Sequence, residues 1–456
     1  MAEQLIISVS GMRGIVGENL TASIALEYGC AFGSYLKDKF PNPNLSVCIG
    51  MDSRPSGQML KAAVTAGLAA VGVDVIDLGL VTTPCVGISL RELGCCGGVV
   101  ITASHNPVEY NGIKLLLTNG IAPPPEAAER IKQYFFEKKI SYADQFHIGK
   151  VTSDNQADGR HLSKVLAIVD KDLIAGKKFK VAFDSVNGGG GRITSKLLNE
   201  LGCEVSAINY EPTGLFAHAP EPTAENLTDF CNVVKSKAAQ AGFAQDPDAD
   251  RLAIVDENGL YIGEEYSLAL AAKYIFSKKT GVAAANLSTS RMLDDIAVKA
   301  GGSVIRTAVG EANVAGAMLE NNCIIGGEGN GGVIDLRVGP IRDSLVGIAL
   351  VLQLMAETGK TISQLVGEIG GYYMLKEKFP VEPGRTGRIL ERAKKTFSGA
   401  KINTTDGCRF DFPNGDWVHI RPSNTEPVIR FIVEAKDESS AKEYIEIIQK
   451  KVLTSL

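Results

Sequence analysis

A unit of alternating strands and helices occurs three times in the 456-residue chain, and this repeat restricts the fold more than any other feature. In each copy a short apolar strand leads through a polar or glycine-rich turn into a helix and a second strand. A further apolar strand then ends in a conspicuous polar loop. The copies begin at the predicted strands Leu45–Ile49, Phe179–Phe183 and Val282–Leu287. Their closing loops are Thr102–Pro107, Gln245–Arg251 and Gly326–Gly332.

Strands that alternate with amphipathic helices predict α/β units built on mixed or parallel sheets. Ligands of such units bind at the carboxyl ends of the strands, where all three polar loops lie. We therefore expect three related mixed-sheet α/β domains that each direct one loop into a central cleft. The predicted domains are residues 1–150, 151–255 and 256–370, followed by a smaller α+β domain at 371–456.

The last 86 or so residues differ from the repeat and predict the α+β domain. Apolar and polar residues alternate as in strands before and after a helical stretch. A terminal helix follows the last of these strands. The predicted elements are strand Tyr372–Phe379, helix Gly387–Phe397, strand-turn-strand Gly407–Ile420, strand Val428–Glu434 and helix Ser439–Val452. A fourth polar loop, Arg421–Pro427, lies between two of these strands.

Composition limits the partners of the chain. A net charge of −5, with 45% hydrophobic and 22% charged residues, is typical of a globular protein and disfavours nucleic acid as a partner. No apolar run approaches the roughly 18 residues of a membrane span, and no cationic segment precedes the first apolar stretch as in a signal peptide. The nine cysteines are scattered without metal-site spacing, which predicts buried reduced thiols and a cytoplasmic protein.

Three carboxylates alternate in the second loop, at Asp246, Asp248 and Asp250. Pro247 opposes a regular helix, so the three side chains can converge only in an extended or looped segment. Converging carboxylates repel one another, and a hard divalent cation relieves that repulsion. The alternative is a solvated acidic turn.

Ser104 follows the apolar strand of the first unit, a position from which a hydroxyl can enter a cleft. It lacks the flanking glycines of a hydrolase elbow, and the adjacency of His105 does not by itself create a nucleophile–base pair. Lys114, shortly downstream, could exchange protons near the serine. The alternatives are a helix-capping turn and a surface lysine.

The remaining two loops suit sugar and phosphate groups. Glu328 and Asn330 could hydrogen-bond vicinal sugar hydroxyls, within a glycine-rich segment that permits close approach. The fourth loop concentrates a guanidinium, hydroxyls and an amide, which suit an oxyanion; its candidates are Arg421, Ser423, Asn424 and Thr425. Read alone, either loop could be an ordinary polar turn.

Together, these four loops in this order resemble the α-D-phosphohexomutase superfamily, and the resemblance covers the whole chain. It implies that Ser104 is a phosphoserine and that Ser104, Asp246, Asp248 and Asp250 hold Mg²⁺. It implies sugar recognition by Glu328 and Asn330, and phosphate binding by Arg421, Ser423, Asn424 and Thr425. It further implies catalytic roles for Arg13, His105, Lys114 and Arg251, and substrate contacts from the segment Thr307–Glu311, including Gly310 and Glu311.

The resemblance also implies a mechanism. Phospho-Ser104 transfers its phosphoryl group to a hexose phosphate, the resulting hexose 1,6-bisphosphate turns around in the site, and its other phosphate returns to Ser104. We expect Mg²⁺ and the bisphosphate to be required, the fourth domain to rotate over the cleft, and the chain to be a monomer or homodimer.

The sugar loop bears on substrate choice. Gly332 stands where bacterial relatives acting on mannose and glucose phosphates often carry histidine, and the loop resembles that of archaeal phosphoglucosamine mutases, as does Val309–Glu311. The resemblance therefore favours glucosamine phosphate, with phosphomannomutase or phosphoglucomutase activity as the alternative. A non-catalytic sugar-phosphate-binding protein and a phosphatase are rivals of other classes. The turns Gly188–Gly191 and Ser288–Ser290 are interpreted as helix entries.

Overall fold

The computed structural model describes residues 5–9, 11–41, 45–382, 384–423 and 428–453. The first part of the chain forms a seven-stranded mixed sheet with four helices. Its elements are β1 (Ile6–Ser8), β2 (Gly11–Ile15), α1 (Ala22–Lys39), β3 (Ser46–Met51), α2 (Gly57–Ala70), β4 (Asp74–Leu80), α3 (Thr83–Glu92), β5 (Gly97–Ile101), β6 (Tyr110–Leu117), α4 (Pro125–Phe136) and β7 (Val151–Ser153). The strand order is β1-β2-β6-β5-β3-β4-β7.

Two four-stranded mixed sheets follow. The second sheet and its helices comprise α5 (Ala157–Leu166), α6 (Lys171–Lys177), β8 (Lys180–Asp184), α7 (Gly191–Glu200), β9 (Glu204–Ile208), α8 (Thr228–Ser236), β10 (Ala241–Gln245) and β11 (Leu252–Val255). The third comprises α9 (Glu265–Lys278), β12 (Val282–Asn286), α10 (Met292–Lys299), β13 (Ser303–Thr307), α11 (Glu311–Glu320), β14 (Ile325–Glu328), β15 (Gly332–Ile334), α12 (Ser344–Thr358) and α13 (Ile362–Ile369).

The repeat predicted from the sequence corresponds to a strand order that three sheets share. The strands run β6-β5-β3-β4 in the first sheet, β11-β10-β8-β9 in the second and β15-β14-β12-β13 in the third. In each unit the first strand pairs in parallel with the second and third, and the fourth pairs antiparallel with the third. The prediction of three related mixed-sheet domains is thus confirmed. The three polar loops all join the third strand of a unit to its fourth.

The chain ends in a five-stranded antiparallel sheet with two α-helices, which confirms the predicted α+β domain. Its elements are β16 (Tyr373–Pro380), α14 (Thr386–Thr396), β17 (Lys401–Asn403), β18 (Cys408–Asp411), β19 (Trp417–Pro422), β20 (Val428–Ala435) and α15 (Glu438–Ile447), with a π-helical segment at Ile448–Leu453. The strand order is β16-β20-β19-β18-β17. The short edge strand β17 was not predicted from the sequence.

Helix α12 shows how local sequence places the core. The Asp343 side chain accepts hydrogen bonds from the backbone N–H groups of Leu345 and Val346, and Gly359 ends the helix in a left-handed conformation. Between these caps, apolar residues occur all round the helix, so it is buried on every side. A single apolar core joins the second and third sheets, whereas the first and fourth sheets have cores of their own.

The two glycine- and serine-rich turns are helix entries, as predicted. Helix α7 begins at Gly191, and a Cβ at Gly188 would lie 2.6 Å from the Cα of Pro247, so this turn packs against the aspartate loop. Ser290 accepts a hydrogen bond from the backbone N–H of Met292, the first residue of α10.

The domain boundaries predicted near 150, 255 and 370 remain a proposal. Strand β7 pairs with β4, which extends the first sheet to Ser153. Connections without strands or α-helices separate Val255 from Glu265 and Ile369 from Tyr373. Within the described ranges, no single helix has the length and apolar composition to cross a membrane; α12 and α13 meet that test only as a pair, which is bent by 92°.

Candidate active site

Ser104 lies in the loop between β5 and β6, with its side chain turned toward the second domain. Its φ of 51° is left-handed, a conformation that a non-glycine residue adopts only where its surroundings enforce it. The hydroxyl donates to Asp246 Oδ2 at 2.7 Å, and Nδ1 of His105 lies 3.4 Å from the same Oγ. The serine is 3% exposed. The structure therefore brings the predicted serine directly onto the first predicted aspartate.

Arg54, at the end of the turn after β3, anchors the Ser104 loop. Its guanidinium is buried and pairs through Nε with Asp52 Oδ2 at 3.1 Å. The two terminal nitrogens donate to four backbone carbonyl oxygens, those of Ser104, Asn106, Pro107 and Tyr110. Five donors in a planar fork suit this task, and a lysine could not reproduce it. The loop is thus held by a buried network beneath it.

The three predicted aspartates converge in the loop between β10 and β11. All three are fully buried, and one oxygen from each lies within 4.8 Å of the others. Ala249, between the second and third, has a left-handed φ of 55°. Among the described residues, Oδ1 of Asp248 and Oδ1 of Asp250 have no hydrogen-bond partner. Because buried carboxylate oxygens without partners are costly, and hard cations prefer oxygen ligands, the triad fits a divalent cation.

Cations from two other domains contact the aspartates. Lys114 Nζ lies 2.6 Å from Asp248 Oδ2 and 3.3 Å from Asp250 Oδ2. Arg342 NH2 lies 2.7 Å from Asp250 Oδ2. Burial alone would raise the pKa of Asp250, but Arg342 and Lys114 hold it well below its usual range. Burial would likewise lower the pKa of Lys114, yet Asp248 and Asp250 raise it, so the lysine is an ammonium.

The two groups beside the serine have opposite pKa shifts. Burial raises the pKa of Asp246 well above its usual value, and Asp248 and Asp250 add to the shift. Burial lowers the pKa of His105 well below its usual value, assisted by Arg251 and Arg13. The imidazole is therefore neutral near pH 7.

The predicted sugar loop joins β14 to β15 and faces the aspartates. Glu328 is the last residue of β14 rather than a loop residue, and its Oε1 accepts from Asn286 Nδ2 at 2.7 Å and from the Gly310 N–H at 3.0 Å. Asn330 is half-buried, and its Oδ1 has no partner among the described residues. Glu311 accepts from the backbone N–H of Arg342 at 2.6 Å. The sugar loop and the predicted 307–311 segment are therefore in direct contact.

The fourth predicted loop approaches that segment from the last domain. Arg421 Nε donates to Asp406 Oδ2 at 2.9 Å, and the same oxygen accepts from the Val309 N–H at 3.0 Å. The Ser423 N–H donates to the carbonyl of Val428 at 2.9 Å, across the base of the loop. The predicted phosphate-binding residues Asn424 and Thr425 lie outside the described residues.

The two remaining predicted arginines border the serine and the aspartates. Arg13, on β2, donates to Asn106 Oδ1 at 2.5 Å, within the Ser104 loop. Arg251 follows the triad; its backbone N–H donates to Asp246 Oδ1 at 3.1 Å and its NH1 to Glu221 at 3.2 Å. Arg251 Nε also lies 4.0 Å from Asp250 Oδ1, so one guanidinium borders the Ser104 loop and the other borders the triad.

Two residues of the site were not predicted. Arg54 lies in a turn that recurs at the end of the first strand of each unit, and this recurrence is a signal that could have identified it. Arg342 has no such signal, since it lies in a short connection without a motif. Both are buried arginines with some partners far away in sequence, such as the carbonyl of Ser104 for Arg54 and Asp250 for Arg342.

Profiles of the phosphoglucomutase/phosphomannomutase family match the chain in four successive segments. The α/β/α domains I, II and III match residues 4–141, 159–259 and 264–372, and the C-terminal domain matches residues 378–451. All four domains of the family are therefore present, in order.

Proteins that match over nearly the whole chain indicate the same family. A Thermococcus kodakarensis protein named "Phosphoglucomutase/phosphomannomutase" is 41% identical over 444 residues, which cover 96% of each chain. A Methanopyrus kandleri protein named "Probable phosphoglucosamine mutase" is 37% identical over 453 residues, which cover 97% of each. A solved phosphoglucomutase/phosphomannomutase family protein from Burkholderia thailandensis is 26% identical with a TM-score of 0.85, covering 98% of this chain and 97% of that one. The chain belongs to the phosphoglucomutase/phosphomannomutase family and is a phosphohexomutase, an isomerase of the intramolecular phosphotransferase class.

Proposed function

We propose that this phosphohexomutase interconverts glucosamine 6-phosphate and glucosamine 1-phosphate through a phosphorylated Ser104. The observation that carries the mechanism is the 2.7 Å contact of Ser104 Oγ with Asp246 in a buried aspartate triad. What favours an amino sugar is the resemblance of the sugar loop to archaeal phosphoglucosamine mutases, together with the 37%-identical relative of that name. The unpartnered Oδ1 of Asn330 is an acceptor for a sugar hydroxyl or ammonium group and does not distinguish the two.

The proposed reaction has two phosphoryl transfers. In the first, the bond between phosphorus and Ser104 Oγ breaks while a bond to one sugar hydroxyl oxygen forms, which leaves a hexose 1,6-bisphosphate. We assign the hydroxyl proton to His105 because its Nδ1 lies 3.4 Å from Ser104 Oγ. Lys114, as an ammonium, supplies positive charge or a proton to the departing serine oxygen. After the bisphosphate turns around, the same steps run in reverse with its other phosphate.

Charge on the transferring group needs compensation from several sides. We assign this to Arg13 and Arg251, whose guanidinium groups border Ser104 and the triad. Mg²⁺, held by Asp246, Asp248, Asp250 and the Ser104 phosphoryl group, would add Lewis-acid stabilisation of that charge. The two unpartnered aspartate oxygens support this assignment.

A more distant structure bears on these cofactors. A structure of N-acetylphosphoglucosamine mutase from Aspergillus fumigatus shares the fold at 15% identity and a TM-score of 0.60, over 97% of this chain and 94% of that one. It is in complex with GlcNAc-6P and magnesium, and another structure of that enzyme is in complex with glucose 1,6-bisphosphate. We propose the same two cofactors, Mg²⁺ and a hexose 1,6-bisphosphate, for this chain.

Substrate binding is assigned to the sugar loop with the 307–311 segment, and to the fourth loop. Glu328, Asn330, Gly310 and Glu311 would contact the sugar. Arg421, Ser423, Asn424 and Thr425 would hold whichever phosphate is not reacting. A site that binds either phosphate in the distal position allows the intermediate to react in two orientations.

A second substrate assignment is favoured by one observation. The 41%-identical relative is named for glucose and mannose phosphates, whereas the 37%-identical one is named for glucosamine phosphate. Phosphoglucomutase or phosphomannomutase activity is therefore the alternative to be tested. A non-catalytic sugar-phosphate-binding protein would leave Ser104 and Lys114 without a chemical role.

The test is a turnover panel of glucosamine, mannose, glucose and N-acetylglucosamine 6-phosphates, with Mg²⁺ and a bisphosphate activator. We expect kcat/KM to be highest for glucosamine 6-phosphate and Ser104→Ala to lose nearly all turnover. Intact-mass analysis should detect phosphate on the wild type and not on Ser104→Ala. Ser277→Ala, a helix serine bonded only within its own turn, is the matched control. Full turnover by Ser104→Ala would rule out the phosphoserine mechanism, and a preference for mannose or glucose would establish the alternative.

A further inference from the structure

Arg342 connects two of the loops that form the site. It lies between β15 and α12 and is 9% exposed. NH2 donates to Asp250 Oδ2 at 2.7 Å, and NH1 donates to Glu328 Oε2 at 2.8 Å. One planar guanidinium thus binds a carboxylate of the second domain and a carboxylate of the third, through different nitrogens.

The backbone of Arg342 adds a third loop to this arrangement. Its N–H donates to Glu311 Oε1 at 2.6 Å, in the segment after β13. Glu328 receives its other hydrogen bonds from Asn286 and Gly310, both within the third domain. Within the described residues, Arg342 is therefore the side chain that links Glu328 to the aspartate loop.

Gly332 makes room for the Arg342 side chain. A Cβ at residue 332 would lie 2.2 Å from Arg342 Cδ and 2.9 Å from Arg342 Cγ, distances that real Cβ atoms essentially never show. Gly332 is a strand residue without a left-handed φ, so its backbone does not require glycine. Because the head group is fixed by two carboxylates, any side chain at position 332 must displace the stem and with it the guanidinium.

We propose that Arg342 is a positioning residue that fixes Glu328 against the aspartate loop, and that Gly332 is required because it leaves space for the Arg342 stem. The proposal rests on the proposed function, since it takes Glu328 as a sugar contact and Asp250 as a metal ligand. Position 332 thus lacks a side chain because the stem of Arg342 occupies the space that this side chain would need.

The loss of Arg342 should act mainly on sugar affinity. Asp250 retains Lys114 at 3.3 Å, whereas Arg342 is the one salt-bridge partner of Glu328 in the described part of the chain. A buried carboxylate that loses its charged donor is no longer fixed in the position from which it would contact the sugar. We therefore expect KM to rise more than kcat falls.

The experiment measures the affinity of the wild type and of each variant for glucosamine 6-phosphate by isothermal titration calorimetry. Steady-state kinetics of the same proteins give kcat and KM. Arg342→Gln and Gly332→Ala should each weaken binding by about tenfold or more, which is the effect of losing one charged hydrogen bond. The double variant should bind no more weakly than Arg342→Gln alone, because both changes remove the same contact. A general loss of stability would not produce that non-additivity.

Two controls match the two variants. Arg337→Gln breaks a nearby ion pair with Asp335 that touches no site residue, and Gly316→Ala adds a methyl group where nothing lies within 4 Å. Both should bind within about twofold of wild type, which is the scatter expected for sites without shared contacts.

Each result of these measurements either supports or overturns the proposal. Wild-type affinity in Gly332→Ala, or losses that multiply in the double variant, would overturn the proposal. If Arg342→Gln lacks a cooperative melting transition, Gly332→Ala decides alone. A wild type that binds hexose phosphates without interconverting them would contradict the proposed function, while the affinity comparison would still test Arg342.

Discussion

At the scale of single residues, the site is governed by a balance between carboxylates and cations. Lys114 pairs with Asp248 and Asp250, and Arg342 pairs with Asp250, Glu311 and Glu328. Arg251 adds a longer contact to Asp250, whereas Asp246 faces Ser104. Like charges in a buried space raise one another's pKa unless a cation intervenes. The opposite pKa shifts of Asp246 and Asp250 follow directly, because Asp250 has the cations and Asp246 faces Ser104.

Removal of one triad carboxylate should weaken metal binding. We expect Asp248→Asn to lower the affinity for Mn²⁺ by about tenfold or more, because a hard cation loses a charged oxygen ligand. Electron paramagnetic resonance of free Mn²⁺ measures this without turnover. Asp335→Asn is the control, as Asp335 is buried but pairs with Arg337 outside the triad. Equal affinities of Asp248→Asn and wild type would contradict the metal assignment.

At the scale of elements, the same connection in each repeat unit serves a different chemical purpose. The loop between the third and fourth strands holds Ser104 in the first unit, the aspartates in the second and Asn330 in the third. Ser104 and Ala249 have left-handed φ values there, which cost roughly 1–3 kcal/mol each. Such strained backbone persists only where neighbouring elements hold it, and Arg54 is the group that holds the first loop.

The dependence of this loop on Arg54 is testable. Arg54→Lys keeps a charge but can serve only some of the four carbonyl oxygens, so the Ser104 loop should open more readily. We expect a loss of roughly 1–3 kcal/mol in stability for each buried carbonyl oxygen left without its donor, with strongly reduced turnover. Hydrogen exchange of residues 102–110 should quicken in Arg54→Lys.

Arg91→Lys provides the matched comparison for Arg54→Lys. Arg91 also donates to backbone carbonyl oxygens, at 2.7 Å to Val338 and 3.3 Å to Gly87, but not to the Ser104 loop. Exchange of residues 102–110 should therefore stay at its wild-type rate. Unchanged exchange in Arg54→Lys would show that other contacts hold the loop.

At the scale of the whole molecule, polar contacts join the last domain to the third. Ser288 Oγ lies 2.9 Å from His419 Nδ1, and the Arg291 N–H donates to Glu434 at 3.0 Å. Lys376 of β16 reaches Glu264 at 2.5 Å and Glu265 at 3.3 Å. A joint built on hydrogen bonds and ion pairs can be remade in another geometry, unlike the apolar core shared by the second and third domains.

Glu265 makes this joint sensitive to pH. Burial raises the pKa of Glu265 from 4.5 to about 7, with Lys376 opposing the shift and Glu264 adding to it. A carboxyl whose pKa is raised by folding stabilises the folded chain fully below pH 4.5 and loses that contribution as pH rises through about 7. The loss amounts to about 3 kcal/mol at most.

Glu265→Gln should remove this pH dependence, because glutamine cannot titrate. Calorimetric melting at about pH 5 and pH 8 should show the wild type losing stability relative to Glu265→Gln at the higher pH. Glu264→Gln removes a neighbouring charge that adds to the shift, so it should reduce the pH dependence without abolishing it. Parallel slopes for Glu265→Gln and wild type would contradict the assignment.

Closure of the last domain over the cleft remains a prediction. The distal phosphate loop belongs to that domain, so a bound hexose phosphate should draw it toward the aspartates. Small-angle scattering should then show a smaller radius of gyration with glucosamine 1-phosphate than without it. Superimposable profiles would count against closure.

Much of the molecule could be predicted from local pattern. The predicted strand Phe179–Phe183 agrees with β8 (Lys180–Asp184) to within one residue at each end, and the repeat placed three loops at equivalent strand ends. Prediction was weaker where a strand continued into a glycine-rich segment. The third strand of the last unit runs to Glu328, because Gly326, Gly327 and Glu328 pair with β15, and no local propensity reveals that pairing.

The sequence by itself determined the repeat, the order of the four loops and the residue types capable of phosphoryl chemistry, because strand and helix periodicity and loop composition are local properties of a chain. Only the tertiary structure decided which residues meet. It brought Ser104 onto Asp246, 142 positions away, and set Arg342 between Asp250 and Glu328 in the space left by Gly332. Such contacts depend on how separate sheets pack together, and the packing of a buried arginine against distant carboxylates leaves no pattern in the residues beside it.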